Sequence, residues 1–396
     1  MRGDAIGRDV IGWARERVHA HADRLYRSLI VALAVAAILG MMGGTWDAAW
    51  HVTLRREGFW SPPHILLYAG TSLTMIIGTV ALGSALLLGW RTPGPWVTLS
   101  RPIPLGFAVA ALGSAIVLAA APVDDFWHRT FGADVDVWSF PHLVAIAGGF
   151  IINLGAVMAV GAELRALGGR ARGHRLTMLL FLSILCWLMM FSLNWYTLVL
   201  ARWRDSFQYP IVASFVTPLA LLVAARAFGR GGATLATLGY TIYTAAAHYT
   251  LHGLGYALLP FPPLIVVPAI MIDFVVTRPF GHGWQRSLLA GLLFAPTFFV
   301  AEAASLAWFP HPYIAEPPTT GFALAYMLQA LDRPWELGPI LRTLPIAMAM
   351  GAMSSLFGWW IGALTWRVQQ DPGPFPKRPP LAPDREGALS PRLLPR

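Results

Sequence analysis

The sequence predicts an all-α fold, a polytopic integral membrane helical bundle of about ten transmembrane helices with both termini cytoplasmic, and three observations predict it. Of 396 residues, 56% are hydrophobic and only 12% charged, whereas soluble domains carry about a quarter charged residues. Roughly ten apolar runs of about 18 or more residues are present, each long enough as helix to cross a hydrocarbon core about 30 Å thick. Arginines collect in alternate connections, which is the positive-inside pattern.

The runs fall at 25–44, 62–89, 102–122, 141–164, 176–200, 211–227, 234–258, 260–276, 287–308 and 338–366. Residues 1–24 form a cytoplasmic N-terminal segment of mixed charge, and the run after it lacks a small-residue cleavage site, so it is expected to stay as a helix. Arg2, Arg8, Arg15, Arg17 and Arg24 precede the first run; Arg91 and Arg101 follow the second; Arg165, Arg170, Arg172 and Arg175 follow the fourth. Arg226 with Arg230, Arg278 with Arg286, and Arg367 with Lys377 and Arg378 continue the alternation. The net charge of +9 therefore reports orientation, not a nucleic-acid partner. The tail 367–396 is too rich in proline and charge to pack a core and is expected to be disordered. Function is left to the bundle, 25–366, which embraces a first half, 25–164, and a second, 176–366. Cys186 is the sole cysteine, which excludes an intramolecular disulfide and a cysteine-based metal cluster.

The first half carries a repeat. "WDAAWHVTLRREGFWSPPHILLYAG" recurs as "DDFWHRTFGADVDVWSFPHLVAIAG", with Asp124, Trp127 and His128 matching Asp47, Trp50 and His51, and His142 matching His64 after one extra residue. Both copies join an odd-numbered run to the next on the outer side, so the unit is a helical hairpin used twice. "FQYPIVAS" at 207–214 is a weaker echo, with Ile211 in place of the histidine.

If the first helix of each hairpin continues through the motif, an acid and a histidine four residues apart share one face. The second histidine follows a proline, in "SPPH" and "SFPH", at the first turn of the next helix, where proline is tolerated and the side chain can point back. Each hairpin then offers two imidazoles and a carboxylate. Copper, zinc and iron accept such ligands, whereas magnesium and calcium prefer oxygen alone. One copy alone reads equally as a capping acid with two interfacial histidines; the duplication with retained spacing favours metal. Trp46, Trp50, Trp60, Trp127 and Trp138 are expected to anchor the helices at the membrane interface.

Three further residues are candidates. His248 and His252, in "AAAHYTLHGLGY", stand four apart on an apolar helix and form a zinc or copper half-site, or two histidines bonded within a polar bundle. Glu302, in "FFVAEAASLAW", is an ionisable group near the outer end of a membrane helix, either functional or paired with Arg342 or a histidine. Asp273 is expected to pair with Arg278. No Ser-His-Asp order, phosphate loop or dinucleotide fingerprint stands out.

The pattern Asp47, Trp50, His51, Thr53, Arg55, Phe59, Pro62, His64, Ile65 and Tyr68 resembles the copper-binding segment of the C subunit of particulate methane and ammonia monooxygenases. The resemblance implies copper held by Asp47, His51 and His64 in the inner (plasma) membrane of a bacterial-type cell, near its periplasmic face. A second segment of that family carries an Asn and a His four apart and a proline-preceded His; Asp124, His128 and His142 stand there, with Asp124 in place of Asn. "FPPLIVVPAIMIDFVVTR" and "SLLAGLLFAPTFF" are similar, more loosely, to the A subunit. The implied activity is hydroxylation of a small apolar substrate such as methane, ammonia or a short hydrocarbon by dioxygen. The family assembles as trimers of several subunits, so a homo- or hetero-oligomer with a periplasmic cupredoxin-like subunit is an implied partner beside the lipid bilayer. Two other classes compete: a zinc-dependent membrane hydrolase, similar to alkaline ceramidases in the His248 and His252 spacing, and a non-catalytic copper-binding or transport protein.

Overall fold

A computed structural model of the chain describes residues 12–14, 21–54, 58–90, 96–98, 102–132, 139–167, 175, 177–189, 208–256, 265–279, 281–308 and 337–364. Most of 1–24, the tail 367–396, His311 and Trp138 lie outside the described residues, as do 190–200 of the fifth run. Ten helices follow in order: α1 (Ala22–Leu54), α2 (Pro62–Leu88), α3 (Leu105–Phe131), α4 (Phe140–Leu167), α5 (Thr177–Met189), α6 (Gln208–Phe228), α7 (Gly232–Gly253), α8 (Val266–Thr277), α9 (Gly283–Trp308) and α10 (Leu337–Leu364). Each apolar run of the sequence thus contains helix. Six of the ten, α1 to α4, α6 and α10, are long and apolar enough to cross a membrane; α5 and α8 are apolar but shorter. Helix α7 owes its lower hydropathy to threonines and histidines, and its hydroxyls bond back along the helix, Thr237 to Ala233 O at 2.9 Å and Thr244 to Tyr240 O at 2.8 Å.

One element departs from the all-helical expectation. Strands β1 (Trp96–Thr98) and β2 (Pro102–Pro104) pair antiparallel between α2 and α3, with Val97 opposite Ile103. Pro102 and Pro104 lack the N–H that a helix or ladder would use, and proline pushes the residue before it into extended backbone. The third helix accordingly begins at Leu105, not at 102.

Helices α1 to α4 form an up-and-down bundle whose pairs touch at glycine. A methyl group at Gly70 in α2 would overlap the backbone of Gly40 in α1, and one at Gly43 the backbone of Leu67. In the second hairpin Gly155 meets Gly106 and Ala110, and Gly113 meets Gly148 and Ile152. These partners run in opposite directions along the two chains, so each pair is antiparallel. Such close backbone approach is how helices gain dispersion contacts in surroundings as apolar as their own side chains.

One end of this bundle is closed by Tyr26, which is buried, with its ring 6.0 Å from Trp90 and 6.2 Å from Phe107. Its hydroxyl donates to Ala159 O at 3.5 Å, and the neighbouring Arg27 lies 3.7 Å from the buried Glu163 of α4. The start of α1, the end of α2, the start of α3 and the end of α4 therefore meet there. The opposite end holds the four helix termini that carry both copies of the Asp and His motif.

In the second half, α6, α7, α8, α9 and α10 pack together, and α7 also reaches α1. Asp273 does not pair with Arg278. Its carboxylate accepts from the backbone N–H groups of Ala233 (3.2 Å) and Thr234 (2.8 Å) and from the Thr234 hydroxyl (2.7 Å), so it caps α7 from a neighbouring helix. Capping wins because the first N–H groups of a helix have no partner within it, and Asp273 is buried beside them. The Arg278 guanidinium lies over the Phe274 ring instead, 3.8 Å from its centroid.

Candidate metal centres

Helix α1 runs unbroken through the first motif to Leu54, so Asp47 and His51 stand one turn apart on one face. Helix α2 opens after Ser61 with Pro62 and Pro63, whose missing N–H groups cost nothing in a first turn. That start points His64 back at α1. His51 Nε2 lies 3.3 Å and His64 Nε2 3.1 Å from the same Asp47 oxygen, Oδ1. The second hairpin repeats this: α3 runs to Phe131, α4 opens at Phe140 and Pro141, and Asp124 meets His128 Nε2 through Oδ2 at 3.4 Å and His142 Nε2 through Oδ1 at 3.3 Å. In each cluster one ligand atom from each of the three residues lies within 4.8 Å of the other two.

The other ring nitrogen decides what these contacts mean. His64 Nδ1 lies 3.0 Å from Gly58 O, and His128 Nδ1 lies 3.3 Å from Gly132 O. A carbonyl only accepts, so in each bond Nδ1 carries the proton. A neutral imidazole protonated at Nδ1 has a bare lone pair on Nε2, and here that lone pair faces a carboxylate oxygen. Asp47 Oδ1 and Asp124 Oδ1 are closed off from solvent and receive no well-directed hydrogen bond from the described residues. Two lone pairs at this distance repel unless a cation lies between them, so each cluster calls for a proton or a metal ion at its centre. Fixing a ring through Nδ1 on a backbone carbonyl is also how metal-binding histidines are oriented.

The spacing suits a metal. With bonds of about 2.0–2.1 Å, two ligand atoms stand about 2.9 Å apart at right angles and about 3.3 Å at the tetrahedral angle. The four Nε2 to oxygen separations, 3.1 to 3.4 Å, lie toward the tetrahedral end of that interval. The donor set, two imidazoles and one carboxylate, is that of copper, zinc or iron.

Among the neighbours of the first cluster, Tyr243 and Tyr256 carry no sequence signal of their own. Thr45 and Tyr243 share a hydrogen bond at 2.9 Å, and Trp46 Nε1 donates to the Tyr256 hydroxyl at 2.8 Å, tying the residues just before Asp47 to α7 and the chain after it. The Tyr68 ring stacks on His64, with centroids 5.6 Å apart and planes at 30°. Beside the second cluster, Asp125 pairs with Arg129 at 2.7 Å and Trp127 packs on Phe131. Trp46 packs edge-on against Trp50, and Trp60 is exposed.

The remaining candidates are not gathered into such a cluster. His248 is buried on α7 and His252 is exposed at its end, with Nδ1 donating to Tyr256 O at 3.1 Å. Glu302 is buried on α9. Among the described residues, no third ligand joins His248 and His252 or Glu302 within coordination distance. Compared with protein-family models, curated proteins and solved structures, the chain has no significant match.

Proposed function

We propose that the chain is a copper-binding integral membrane protein whose two Asp/His/His centres serve a monooxygenase, one that hydroxylates a small apolar substrate with dioxygen. The observation that carries the reading is the convergence, twice, of two imidazole Nε2 atoms on one half-buried carboxylate, with one ring of each pair fixed through Nδ1. The resemblance of the first motif to the methane and ammonia monooxygenases supplies the activity class. The arginine distribution supports an orientation with both termini cytoplasmic and both centres toward the periplasmic face.

Copper in such a centre supplies the redox chemistry of dioxygen that zinc lacks. The residues of the chain do the rest. Asp47 and Asp124 bring the negative charge that offsets the cation, and the carbonyls of Gly58 and Gly132 hold His64 and His128 with Nε2 turned inward. Phe59, Trp60 and Tyr68 form a ring cluster beside the first centre, with centroids 4.8 to 6.3 Å apart, which keeps water sparse and offers an apolar approach from the bilayer.

The test is metal analysis of purified protein after loading with copper and with zinc. Two equivalents of copper are expected, one lost in His51→Ala with His64→Ala and the other in His128→Ala with His142→Ala. Full copper retention in the first double variant overturns the assignment. Copper binding without substrate-dependent oxygen uptake, across short hydrocarbons and ammonia with a reductant present, leaves a copper-handling protein instead of an enzyme.

A further inference from the structure

The two centres are alike in ligands but differ one turn beyond the proline-preceded histidine. Four residues after His64 comes Tyr68; four residues after His142 comes Ile146. Side chains four apart on a helix lie one above the other. Tyr68 accordingly lays its ring on the His64 imidazole, with centroids 5.6 Å apart and planes 30° apart, and its own other contacts are Phe59 at 5.3 Å and Trp60 at 6.3 Å. His64 is therefore held twice, by the Gly58 carbonyl at Nδ1 and by a ring on its face. Helix α2, which carries Tyr68, packs against both α1 and α3, and Tyr68 stands within electrostatic reach of Asp47, Asp124 and Asp125.

We propose that Tyr68 is a positioning residue of the first centre: by stacking on His64 it locks the imidazole in the orientation that turns Nε2 onto Asp47, a lock that the second centre, with Ile146 in that place, does not have. The consequence is a pair of centres that differ in what covers the proline-preceded histidine, a tyrosine ring in the first and an isoleucine position in the second. The hydroxyl is not what does this; the ring is, so phenylalanine should substitute.

The full chain in nanodiscs, labelled with 15N-histidine and free of metal, tests the lock directly. The His64 resonances are assigned by their loss in His64→Gln. Wild type and Tyr68→Phe should show one tautomer, protonated at Nδ1, while Tyr68→Leu should show exchange between tautomers. A second readout rests on the copper reading above. With the second centre removed by His128→Ala and His142→Ala, Tyr68→Leu should weaken copper(II) binding about tenfold or more, the usual effect of losing an outer-shell support, and shift the electron paramagnetic resonance spectrum; Tyr68→Phe should restore both. With the first centre removed instead, Tyr68→Leu should change neither. An unchanged His64 tautomer in Tyr68→Leu, or equal losses in the Phe and Leu variants, overturns the proposal. A tautomer change in protein that binds no copper supports the lock and sinks the copper reading.

Discussion

Gly70→Ala tests how the bundle sets the first centre. A methyl group at Gly70 falls on the N and Cα of Gly40 and on the Ala36 carbonyl, all backbone atoms that cannot rotate away. A carbon needs about 3.5 Å from such atoms, so α1 and α2 must part by on the order of 1 Å. Overpacking of this kind costs about 1–3 kcal/mol. Gly83, on the same helix, has nothing within 4 Å of an added methyl, and both substitutions gain the same helix propensity, about 1 kcal/mol. Gly83→Ala is thus the matched control, and the difference between the two variants, about 1–3 kcal/mol, isolates the crossing. Cys186 supplies the assay, because it is free and buried and its thiol reacts with a fluorogenic maleimide only when the bundle opens. Gly70→Ala should melt well below Gly83→Ala in the same detergent, and its first centre should bind metal more weakly, because His64 moves with α2 while Asp47 stays on α1. Equal melting of the two variants would refute the reasoning.

Other perturbations reach different parts of the structure. Metal retention should fall as pH is lowered, because the ligand nitrogen must be bare to coordinate; retention that is flat from neutral to acid pH would speak against imidazole ligands. Asp273→Ala strips the cap from α7 and should cost about 1–2 kcal/mol in the same thiol assay, with Asp273→Asn recovering only part of it, since its one carbonyl oxygen can serve Thr234 but its NH2 then faces the Ala233 N–H. Tyr243→Phe and Trp46→Phe each remove one hydrogen bond joining α1 to the second half, costing about 1 kcal/mol apiece, and because both flank Asp47 they should also loosen copper at the first centre but not the second.

The helices and both clusters could be read from the sequence because period and spacing are local facts. Acid and histidine four apart, followed by a proline-preceded histidine, fix the three donors once the helix is known to continue past the acid. What could not be read depends on which helix lies beside which. Asp273 lies 40 residues from Ala233 and 39 from Thr234, and nothing in the sequence announces them as its partners; only the packing of α8 on α7 brings it there. The same holds for Tyr243 and Tyr256, which lie far along the chain from Thr45 and Trp46. His248 and His252 keep the spacing of a half-site, and among the described residues no third ligand joins them. Of the ten apolar runs, six contain helices long and apolar enough to cross a membrane among the described residues, and the fifth run is described only to Met189.

The duplication also explains why the same scaffold can hold two centres that differ. Six residues after the proline-preceded histidine both copies have glycine, Gly70 and Gly148, and seven residues before the acid the copies diverge, Gly40 in one and Val117 in the other. A methyl at Gly70 would strike the Gly40 backbone, whereas one at Gly148 would first meet the Val117 side chain, although the second hairpin is also closed backbone to backbone, at Gly106 with Gly155 and at Gly113 with Gly148. The carboxylates follow suit: Asp47 presents one oxygen to both imidazoles, while Asp124 gives one oxygen to each. Close helix crossing is common to both copies, while the shared oxygen and the stacked Tyr68 fall on the first. A carboxylate that offers one oxygen to both imidazoles and one that offers an oxygen to each present different donor geometries, so the two centres should rank copper and zinc differently, which stepwise loading of the two single-centre proteins measures directly.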